Sequence, residues 1–419
     1  VVSATAGTSN ELTAVLEQCY NGRLSEALVL LDEILMRHIE LAEACGCSTE
    51  VKETVSGIFQ EGPVVLKKLS KDTGNYYRYA DHLLGIGERV SSLIFCERAK
   101  VLNMEVELVD VTTLIMTDEL YGRANPLLEE TQRNIDRILK PILRKKRVIT
   151  QGFIARDLEG NYTTLGREGS DYSVSLLGAM LGVDQISIYK REVDGVYQFD
   201  PGVLEDVEVI PELSYEDAIN MTYLGAKVLH HKTVFPALEK GIKIWVDSSV
   251  SPFKRGTLIS QKNGNKLVGL SRRPSQTLLY LKNTGFLDTF SFVEKTAALF
   301  SKYRFNVDLL TICKNSAYVV IDDSKGGTLR GSVQKSVFEI IDVQKDLSTF
   351  CTYKLIDNLE LVSIVGKHDR EILKTLLEAI NGLEVKYFFA SPDRNTFSVL
   401  VDPSETLKCL RVLRSFLTK

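Results

Sequence analysis

The C-terminal part of the chain repeats one pattern of hydrophobicity, and this repeat constrains the fold more than any other feature of the sequence. The first copy predicts the order β-α-β-β-α-β, with elements at residues 276–281, 290–303, 307–313, 317–322, 332–344 and 349–355. The second copy predicts β-α-β-β-α, at residues 359–365, 369–381, 384–389, 396–401 and 405–417. Both patterns are typical of ferredoxin-like units. Because the second copy lacks a final strand, we expect it to borrow one or to leave a sheet edge for a partner.

Before residue 262 the pattern is different, because strands alternate with helices. Strands are predicted at 106–109, 147–154, 186–189 and 243–246, and helices at 24–44, 76–100, 172–181, 214–224 and 233–240. This alternation predicts an α/β fold in which helices sandwich a mostly parallel sheet. The opening residues Val1–Ala4 resemble the end of a strand, and small hydroxyl-bearing residues then lead into a helix from Glu11. A strand, a tight turn and a helix N-terminus together present N–H groups to an anion.

Length and composition exclude several classes of protein. A chain of 419 residues exceeds the usual size of a single core, so two or three domains are expected. The formal net charge of −4 gives no electrostatic reason for binding nucleic acid, and no apolar run approaches the ~18 residues of a membrane span. The seven cysteines are sparse and odd in number, which favours reduced cytoplasmic thiols over a disulfide framework. Cys45-Gly46-Cys47 is too tight and too isolated for zinc, and we expect no dedicated metal site.

A glycine-rich turn at residues 165–171 supplies the first candidate binding residues. Its two glycines let the backbone approach a ligand closely, and Ser170 and Asp171 are expected to cap the helix that follows. A plain cap with a flexible turn is the simpler interpretation, and it is favoured for such a turn taken alone. Arg167 favours a binding site instead, because a guanidinium beside a helix N-terminus can hold a carboxylate or a phosphate in a bidentate manner.

Three further polar residues each allow a structural and a functional interpretation. Glu88 is either a solvated charge on its helix or a carboxylate that binds a substrate ammonium. Lys227 is either a surface charge or a cation that binds phosphate. His38 lies on the helix at 24–44, where we expect a partly exposed structural histidine.

Taken together, these segments resemble the aspartokinases, which have the amino-acid-kinase fold, and the resemblance covers essentially the whole chain. The matching segments are Val1–Asn10, Gly87–Glu88, Thr150–Ile154, Thr163–Tyr172, Asp194–Pro201 and Gly225–His230. Glu168, Gly202 and His231 stand where the family has Gly, Arg and Pro. The resemblance implies a kinase domain at residues 1–262 and two ferredoxin-like regulatory ACT domains at 275–356 and 357–419.

The resemblance implies an enzyme that uses ATP and Mg²⁺ to phosphorylate the β-carboxylate of L-aspartate, giving 4-phospho-L-aspartate. This is the first step towards lysine, diaminopimelate, threonine and methionine. Since the attacking carboxylate is already ionised at neutral pH, catalysis needs alignment and charge neutralisation rather than a strong base. The ACT domains imply an amino-acid effector and a cytoplasmic homodimer or tetramer, with no nucleic-acid or membrane partner.

The resemblance also implies roles for individual residues. In the aspartate site, Arg167 would bind the α-carboxylate and Glu88 the ammonium. The other substrate-binding residues would be Ser3, Ser9, Phe153 and Ser170. Asp171 and Lys227 would act in catalysis, and the nucleotide would contact Lys190, Arg191, Glu192, Tyr197 and Lys227.

The sequence departs from the family at two places that bear on activity. Aspartokinases carry a K-F-G-G-T-S segment before their V-V-S-A strand, and the sequence here begins after that point. Because stripping a strand from a parallel sheet would expose apolar surface, we expect the segment to belong to the complete protein; a molecule without it would be a very weak or inactive kinase. Around residues 190–202 the usual nucleotide-binding residues are replaced, and Lys190 and Arg191 could supply positive charge instead.

Two other classes are weighed against an aspartate kinase. A non-catalytic, amino-acid-binding regulator with a degenerate kinase domain would account for both departures. Another amino-acid kinase, acting on glutamate or acetylglutamate, is disfavoured by the pairing of Glu88 with Arg167 and by the tandem ACT domains.

Regulation by lysine is the last expectation. Four residues resemble the segments with which lysine-inhibited aspartokinases bind lysine in the first ACT domain: Phe286, Leu287, Val307 and Asp308. Asp308 suits an ammonium. Lys314, however, stands where polar and acidic residues are usual, and it would repel a lysine side chain that it faced. We therefore predict weak or absent inhibition by lysine.

Overall fold

The computed structural model of the chain describes most of its residues. The described residues are 1–166, 168–191, 193–226, 229, 231–251, 256–261, 267–285, 287–303, 305, 307–322 and 341–417. Four predicted site residues, Arg167, Glu192, Lys227 and Phe286, therefore lie outside the described residues. The chain divides into two units. The first holds Val1–Ile186 and Lys232–Ile242, and the second holds Ser187–His231 and the described residues from Lys243 onwards.

Helices dominate the first unit and strands the end of the second. The α-helices are α1 (Thr8–Tyr20), α2 (Leu24–Ala44), α3 (Thr49–Phe59), α4 (Glu61–Leu69), α5 (Tyr76–Val101), α6 (Leu128–Asn134), α7 (Lys140–Leu143), α8 (Gly169–Leu181), α9 (Tyr215–Tyr223), α10 (His231–Lys240), α11 (Thr289–Lys302), α12 (Ile341–Ser348), α13 (Arg370–Ile380) and α14 (Thr406–Arg414). The strands are β1 (Val106–Val109), β2 (Met116–Thr117), β3 (Arg147–Thr150), β4 (Ile154–Asp157), β5 (Tyr162–Thr164), β6 (Gln185–Lys190), β7 (Glu212–Ser214), β8 (Lys243–Ser248), β9 (Thr257–Ser260), β10 (Leu267–Asn283), β11 (Val307–Cys313), β12 (Ser316–Asp322), β13 (Cys351–Gly366), β14 (Val385–Ala390) and β15 (Thr396–Val401).

Helices α1 to α5 pack around one apolar core in the first unit. Fully buried side chains at helical spacing fill this core, among them Leu12, Leu16, Leu66, Leu83 and Ile86. Burying such side chains stabilises the bundle by roughly 1.5–3 kcal/mol each. The long helix α5 also buries two carboxylates, Asp81 and Glu88, which an apolar core does not need. Buried charges of this kind mark a polar site.

Short parallel strands follow the helical bundle. Strands β1 and β3 pair in parallel, and Val2 extends the arrangement because it pairs in parallel with Gln151. The Val2 N–H donates to the Thr150 carbonyl at 2.8 Å, and the Gly152 N–H donates to the Val2 carbonyl at 3.1 Å. Val2 therefore makes an isolated parallel bridge, and whether the opening residues end a strand stays a prediction. The strand predicted at 147–154 is instead two strands, because the chain turns at Phe153, whose φ is 69°.

The second unit contains a four-stranded sheet in the order β6-β8-β9-β7 and a six-stranded sheet in the order β11-β12-β10-β13-β15-β14. The long strands β10 and β13 run through both ferredoxin-like units. The predicted strands at 349–355 and 359–365 are therefore one strand, which continues past the positive φ of 51° at Asn358. The start of β10, residues 267–273, pairs with 361–366 and supplies the strand that the second unit lacks.

Each half of the long sheet covers its own apolar core. One half packs against α11 and α12 around Leu279, Phe292 and Val319. The other packs against α13 and α14 around Ile364 and Phe397. The helix predicted at 332–344 is observed from Ile341, and the earlier part of that prediction lies outside the described residues. Among the helices that the structure describes, none has the length and apolarity to cross a membrane. All seven cysteines are free.

Candidate active site

Helix α5 brings Glu88 against the N-terminal segment of the chain. The Glu88 side chain is buried, and the backbone N–H of Ala4 donates a hydrogen bond to its carboxyl group. No side chain could replace the hydrogen of Gly87 at this contact, because a Cβ there would lie 3.0 Å from the Thr8 side chain and 3.2 Å from Ala4. The glycine therefore allows α5 and the N-terminal turn to meet at the carboxylate.

The Glu88 carboxyl is only partly satisfied. Within the part of the chain that the structure describes, its Oε2 atom has no hydrogen-bond partner. Burial raises the pKa of Glu88 to about 8, and backbone N–H groups offset this only in part. A buried carboxyl with a free oxygen is stabilised most by a cation, which would lower its pKa again. The arrangement suits an ammonium group.

The segment around Phe153 meets the start of α8. A Cβ on Gly152 would lie 2.7 Å from both the Cα and the Cβ of Ser170, so only glycine permits this contact. The Phe153 N–H donates to Ser173 Oγ at 2.9 Å, and the Phe153 carbonyl accepts from Leu165 N–H at 2.9 Å. These bonds hold Phe153 in a left-handed conformation that is uncommon for a bulky residue and is found mainly at functional sites.

The predicted cap of α8 is wrong in detail. The helix begins at Gly169, and its N-cap is Glu168, which has a φ of 49° and makes no side-chain cap. Ser170 and Asp171 instead lie in the first turn. There they stand beside the positive end of the helix dipole, where negative charge is favoured.

Asp81 is a functional candidate that the sequence interpretation missed. It lies seven residues before Glu88, on the same face of α5. Its carboxylate accepts hydrogen bonds from Gly122 N–H at 2.8 Å, Thr164 N–H at 3.0 Å and Thr164 Oγ1 at 2.6 Å. Burial raises its pKa to about 7 despite these bonds. Asp81 thus ties the helix that carries Glu88 to the segment that leads into α8, and the spacing of the two acids was the available signal.

The two predicted serines flank the same N-terminal turn. Ser3 and Ser9 are both exposed, and Ser9 lies in the first turn of α1. His38 was expected to be partly exposed, but it is 1% exposed because the turn at residues 5–8 packs over it. The first unit therefore places Ser3 and Ser9 on either side of the turn that packs against Gly87, next to Glu88, and it brings Phe153 and Ser170 together at α8.

The predicted nucleotide residues that are described belong to the second unit. Lys190 ends β6, and its carbonyl accepts a hydrogen bond from Ser249 N–H at 2.8 Å. Arg191 is exposed. Tyr197 pairs with Val209 across an antiparallel bridge. Their roles stay predictions.

The predicted effector residues are arranged along β11. Val307 and Asp308 begin this strand, whereas Leu287 lies towards its other end, where its carbonyl accepts from Asn283 at 2.7 Å. The Asp308 carboxylate is 5% exposed and forms an ion pair with Arg273. Burial raises the pKa of Asp308 to about 6, against the opposing effect of Arg273. Asp308 therefore already has a cationic partner, unlike Glu88.

Comparison with known proteins agrees with this geometry. Residues 1–248 match the amino acid kinase family. Lysine-sensitive aspartokinase 3 of Escherichia coli K12 is 30% identical over 87% of this chain and 80% of its own length. The chloroplastic aspartokinase 3 of Arabidopsis thaliana is 26% identical over 99% of this chain and 75% of its own length.

Solved structures are similar over the full chain. The E. coli aspartokinase III structure with aspartate and ADP, in the R-state, gives a TM-score of 0.88 at 27% identity and covers 100% of this chain and 92% of that one. The same enzyme with lysine and aspartate, in the T-state, gives 0.77 at 27% identity, with the same coverage of both chains. From the extent of these matches and the family segments gathered around Glu88 and α8, the chain belongs to the amino acid kinase family and, within it, to the aspartokinases.

Proposed function

We propose that the chain transfers the γ-phosphoryl group of ATP to the β-carboxylate of L-aspartate, giving 4-phospho-L-aspartate, under the control of an amino-acid effector. One observation carries the proposal: a buried glutamate, Glu88, has an oxygen beside the N-terminal turn of the kinase unit with no hydrogen-bond partner among the residues that the structure describes. The similarity to aspartokinases, including one solved with aspartate and ADP, supports the same substrates.

Glu88 recognises the substrate ammonium. A neutral ligand would leave a buried carboxyl without compensation, whereas an ammonium supplies both a charge and hydrogen-bond donors. Ala4 N–H occupies one side of the carboxyl, so the ammonium approaches Oε2. Ser3 and Ser9, exposed on either side of the turn, hold the rest of the substrate.

The α-carboxylate of aspartate, which is attached to the same carbon as the ammonium, is assigned to the segment around α8. Arg167, placed by sequence between Gly166 and Glu168, binds the α-carboxylate. Phe153 lines the pocket, and Ser170 lies in the first helical turn beside it. Asp81 fixes this segment through Thr164.

Phosphoryl transfer then needs charge neutralisation more than proton transfer. The attacking β-carboxylate is ionised at neutral pH, so the protein's work is to align it with ATP. Asp171 and Lys227 act at the reacting phosphate, and the nucleotide contacts Lys190, Arg191, Glu192 and Tyr197. Mg²⁺ accompanies the ATP phosphates as part of the nucleotide substrate.

The proposed organisation follows the predicted domains. The kinase domain is residues 1–262 and the ACT domains are 275–356 and 357–419, with 267–273 adding a strand to the second. A homo-oligomer forms through the ACT domains, which is supported by the exposed apolar side chains of Leu310 and Ile312 on the edge strand β11. The proposal places the protein in the cytoplasm.

A hydroxamate assay on the complete protein tests the substrate directly. With ATP and Mg²⁺, aspartate should give the acyl-hydroxamate and glutamate should not, since glutamate is longer by one methylene. Equal turnover of both acids would overturn the substrate assignment, and no turnover of either would favour the non-catalytic regulator.

A further inference from the structure

Four side chains, two of them buried, form a series of hydrogen bonds beneath the N-terminal turn. Arg37 Nη2 lies 2.8 Å from Thr8 Oγ1, which lies 2.6 Å from Thr5 Oγ1. Thr5 Oγ1 lies 3.0 Å from His38 Nε2, and His38 Nδ1 lies 2.7 Å from the Ile34 carbonyl. Thr8 and His38 are buried, at 0% and 1% exposure.

The donor and the acceptor of each hydrogen bond in this series follow from the groups at its two ends. A carbonyl only accepts, so His38 Nδ1 carries a hydrogen and donates it to Ile34. Burial lowers the pKa of His38, which keeps the ring neutral, and its Nε2 must then accept. Thr5 Oγ1, at 3.0 Å, is closer to Nε2 than Thr8 Oγ1, at 3.5 Å, so Thr5 donates to Nε2 and its oxygen accepts from Thr8. Arg37, which only donates, completes the series at Thr8.

The chain of hydrogen bonds acts on the residues that meet Glu88. The Thr8 side chain and Ala4 are the two groups closest to Gly87, at 3.0 and 3.2 Å from the position of a Cβ there. Ala4 N–H is the group that donates to the Glu88 carboxyl. Arg37 Nη1 also binds the carbonyl of Ala6 at 3.3 Å. The hydroxyls of Thr5 and Thr8 therefore fix the turn whose backbone faces Glu88.

We propose that His38 and Thr5 are positioning residues for the ammonium subsite of aspartate, acting through the orientation of Ala4 N–H at Glu88. This inference rests on the proposed function. Neither residue touches substrate. Their loss leaves the core of the bundle in place but lets the turn move relative to Glu88, so the affected quantity is the binding of aspartate rather than of ATP.

Two matched variants of Thr5 test the inference in the complete protein. Thr5→Val keeps the shape of the side chain and removes the hydroxyl, and Thr5→Ser keeps the hydroxyl. We expect Thr5→Val to raise the KM for aspartate about tenfold, with the KM for ATP unchanged, and Thr5→Ser to stay within about twofold of wild type. Equal effects of both variants, or equal changes in both KM values, would overturn the proposal.

A variant of His38 provides a second test, which applies even if Thr5→Val does not fold. His38→Phe keeps a ring against Phe59, whose ring centroid lies 5.5 Å away, and removes both nitrogens. It should raise the aspartate KM by a similar factor, and adding Thr5→Val to it should cause little further change because both break the same chain. Fully additive effects, or an unchanged aspartate KM in His38→Phe, would contradict the inference.

A spectroscopic measurement separates this inference from the proposed function. The ¹⁵N shifts of His38 in the labelled wild-type protein should show hydrogen on Nδ1 and none on Nε2 at pH 7. Hydrogen on Nε2 would exclude the chain of hydrogen bonds even in a fully active kinase. If hydrogen is found on Nδ1 but the wild-type protein does not phosphorylate aspartate, the described hydrogen bonds stand and the proposed function is wrong. The role of His38 and Thr5 in positioning aspartate is then wrong as well.

Discussion

Two buried carboxylates, one in each unit of the molecule, differ in whether a cationic side chain pairs with them. Glu88 in the kinase unit is 3% exposed and keeps an oxygen without a partner among the described residues. The Asp308 side chain in the ACT region is 5% exposed, and its Oδ2 also lacks a hydrogen-bond partner among the described residues, but its Oδ1 forms an ion pair with Arg273, which lies beside Asp322 as well. The two side chains are similarly buried, but Asp308 forms an ion pair and Glu88 forms none among the described residues.

Glu88 is therefore suited to bind a cationic ligand, whereas Asp308 already pairs with a cationic side chain of the protein. The pKa of Glu88 is raised to about 8 by burial, and no ion pair within the described part of the chain opposes this rise. That of Asp308 is raised only to about 6, and Arg273 is the main opposing influence. An ammonium ligand gains a full partner at Glu88, whereas at Asp308 it would compete with a guanidinium.

The largest expected effect comes from Glu88→Gln. Losing the charge should lower kcat/KM for aspartate about a hundredfold or more, since one partner of a buried ion pair with the substrate disappears. Kinetics with varied aspartate measures this. Glu97→Gln, a helix-surface change on the same helix α5, serves as the control. A loss of less than about threefold would break the contrast with Asp308.

The same substitution should stabilise the protein in the absence of aspartate. A folded-state pKa of about 8, above the ordinary value of 4.5, means that the folded state loses stability as pH rises from about 4.5 through 8. Glu88→Gln has no such loss, so at pH 9 its free energy of unfolding should exceed that of wild type by about 1–3 kcal/mol, with little difference at pH 4. Denaturant titrations at both pH values check the sign.

Asp308→Asn should have a smaller effect of the same sign. The pKa of Asp308 is raised only to about 6 because Arg273 opposes the effect of burial, and Asp322 remains beside Arg273, so at pH 9 the free energy of unfolding should rise by less than in Glu88→Gln. The kcat/KM for aspartate should stay within about twofold of wild type, because Asp308 contacts no substrate in the proposed mechanism. A gain in stability as large as that of Glu88→Gln would remove the distinction between the two carboxylates.

Asp81→Asn has a smaller expected effect on activity. The amide would present an NH₂ group to donors at Gly122 and Thr164 that now face a carboxylate. We expect kcat/KM for aspartate to fall about tenfold and stability to fall by about 1–2 kcal/mol. Normal kinetics in a variant that retains its fold would show that Asp81 does not position the segment before α8.

The smallest effect is expected for lysine. Because Arg273 occupies Asp308 and Lys314 adds a like charge at the other end of β11, micromolar lysine should leave activity unchanged. Lys314→Glu should lower the lysine concentration needed for any inhibition, and Lys314→Gln should lower it less. Strong inhibition of the wild-type enzyme by micromolar lysine would contradict the prediction.

Periodicity predicted the elements well where one element forms one face of a core. Helix α5 was expected at 76–100 and spans Tyr76–Val101. The long strand β13 was divided in two because Asp357 and Asn358 are polar and turn-like. Pairing with β10 keeps the strand continuous through that point. The hydrophobic pattern of one segment gives no information about such a partner, which is distant in sequence.

The site was predictable only where residue types repeat a family segment. Glu88 and Phe153 were proposed in this way, and their roles stay predictions. Asp81 was missed, because one acid on a long helix looks like a solvated charge until Thr164 and Gly122 are placed against it. His38 was expected on a partly exposed face for the same reason, since the turn that buries it is distant in sequence.

Proton release on aspartate binding tests most directly whether Glu88 binds the substrate ammonium. At pH 7 a carboxyl with a pKa of about 8 is mostly protonated, and an arriving ammonium should ionise it. Calorimetric titrations of aspartate at pH 7, in two buffers with different ionisation enthalpies, count the protons released. We expect release approaching one proton per site from the wild-type protein and almost none from Glu88→Gln at the concentrations needed to saturate it. No release from wild type, or equal release from both proteins, would contradict the assignment of Glu88.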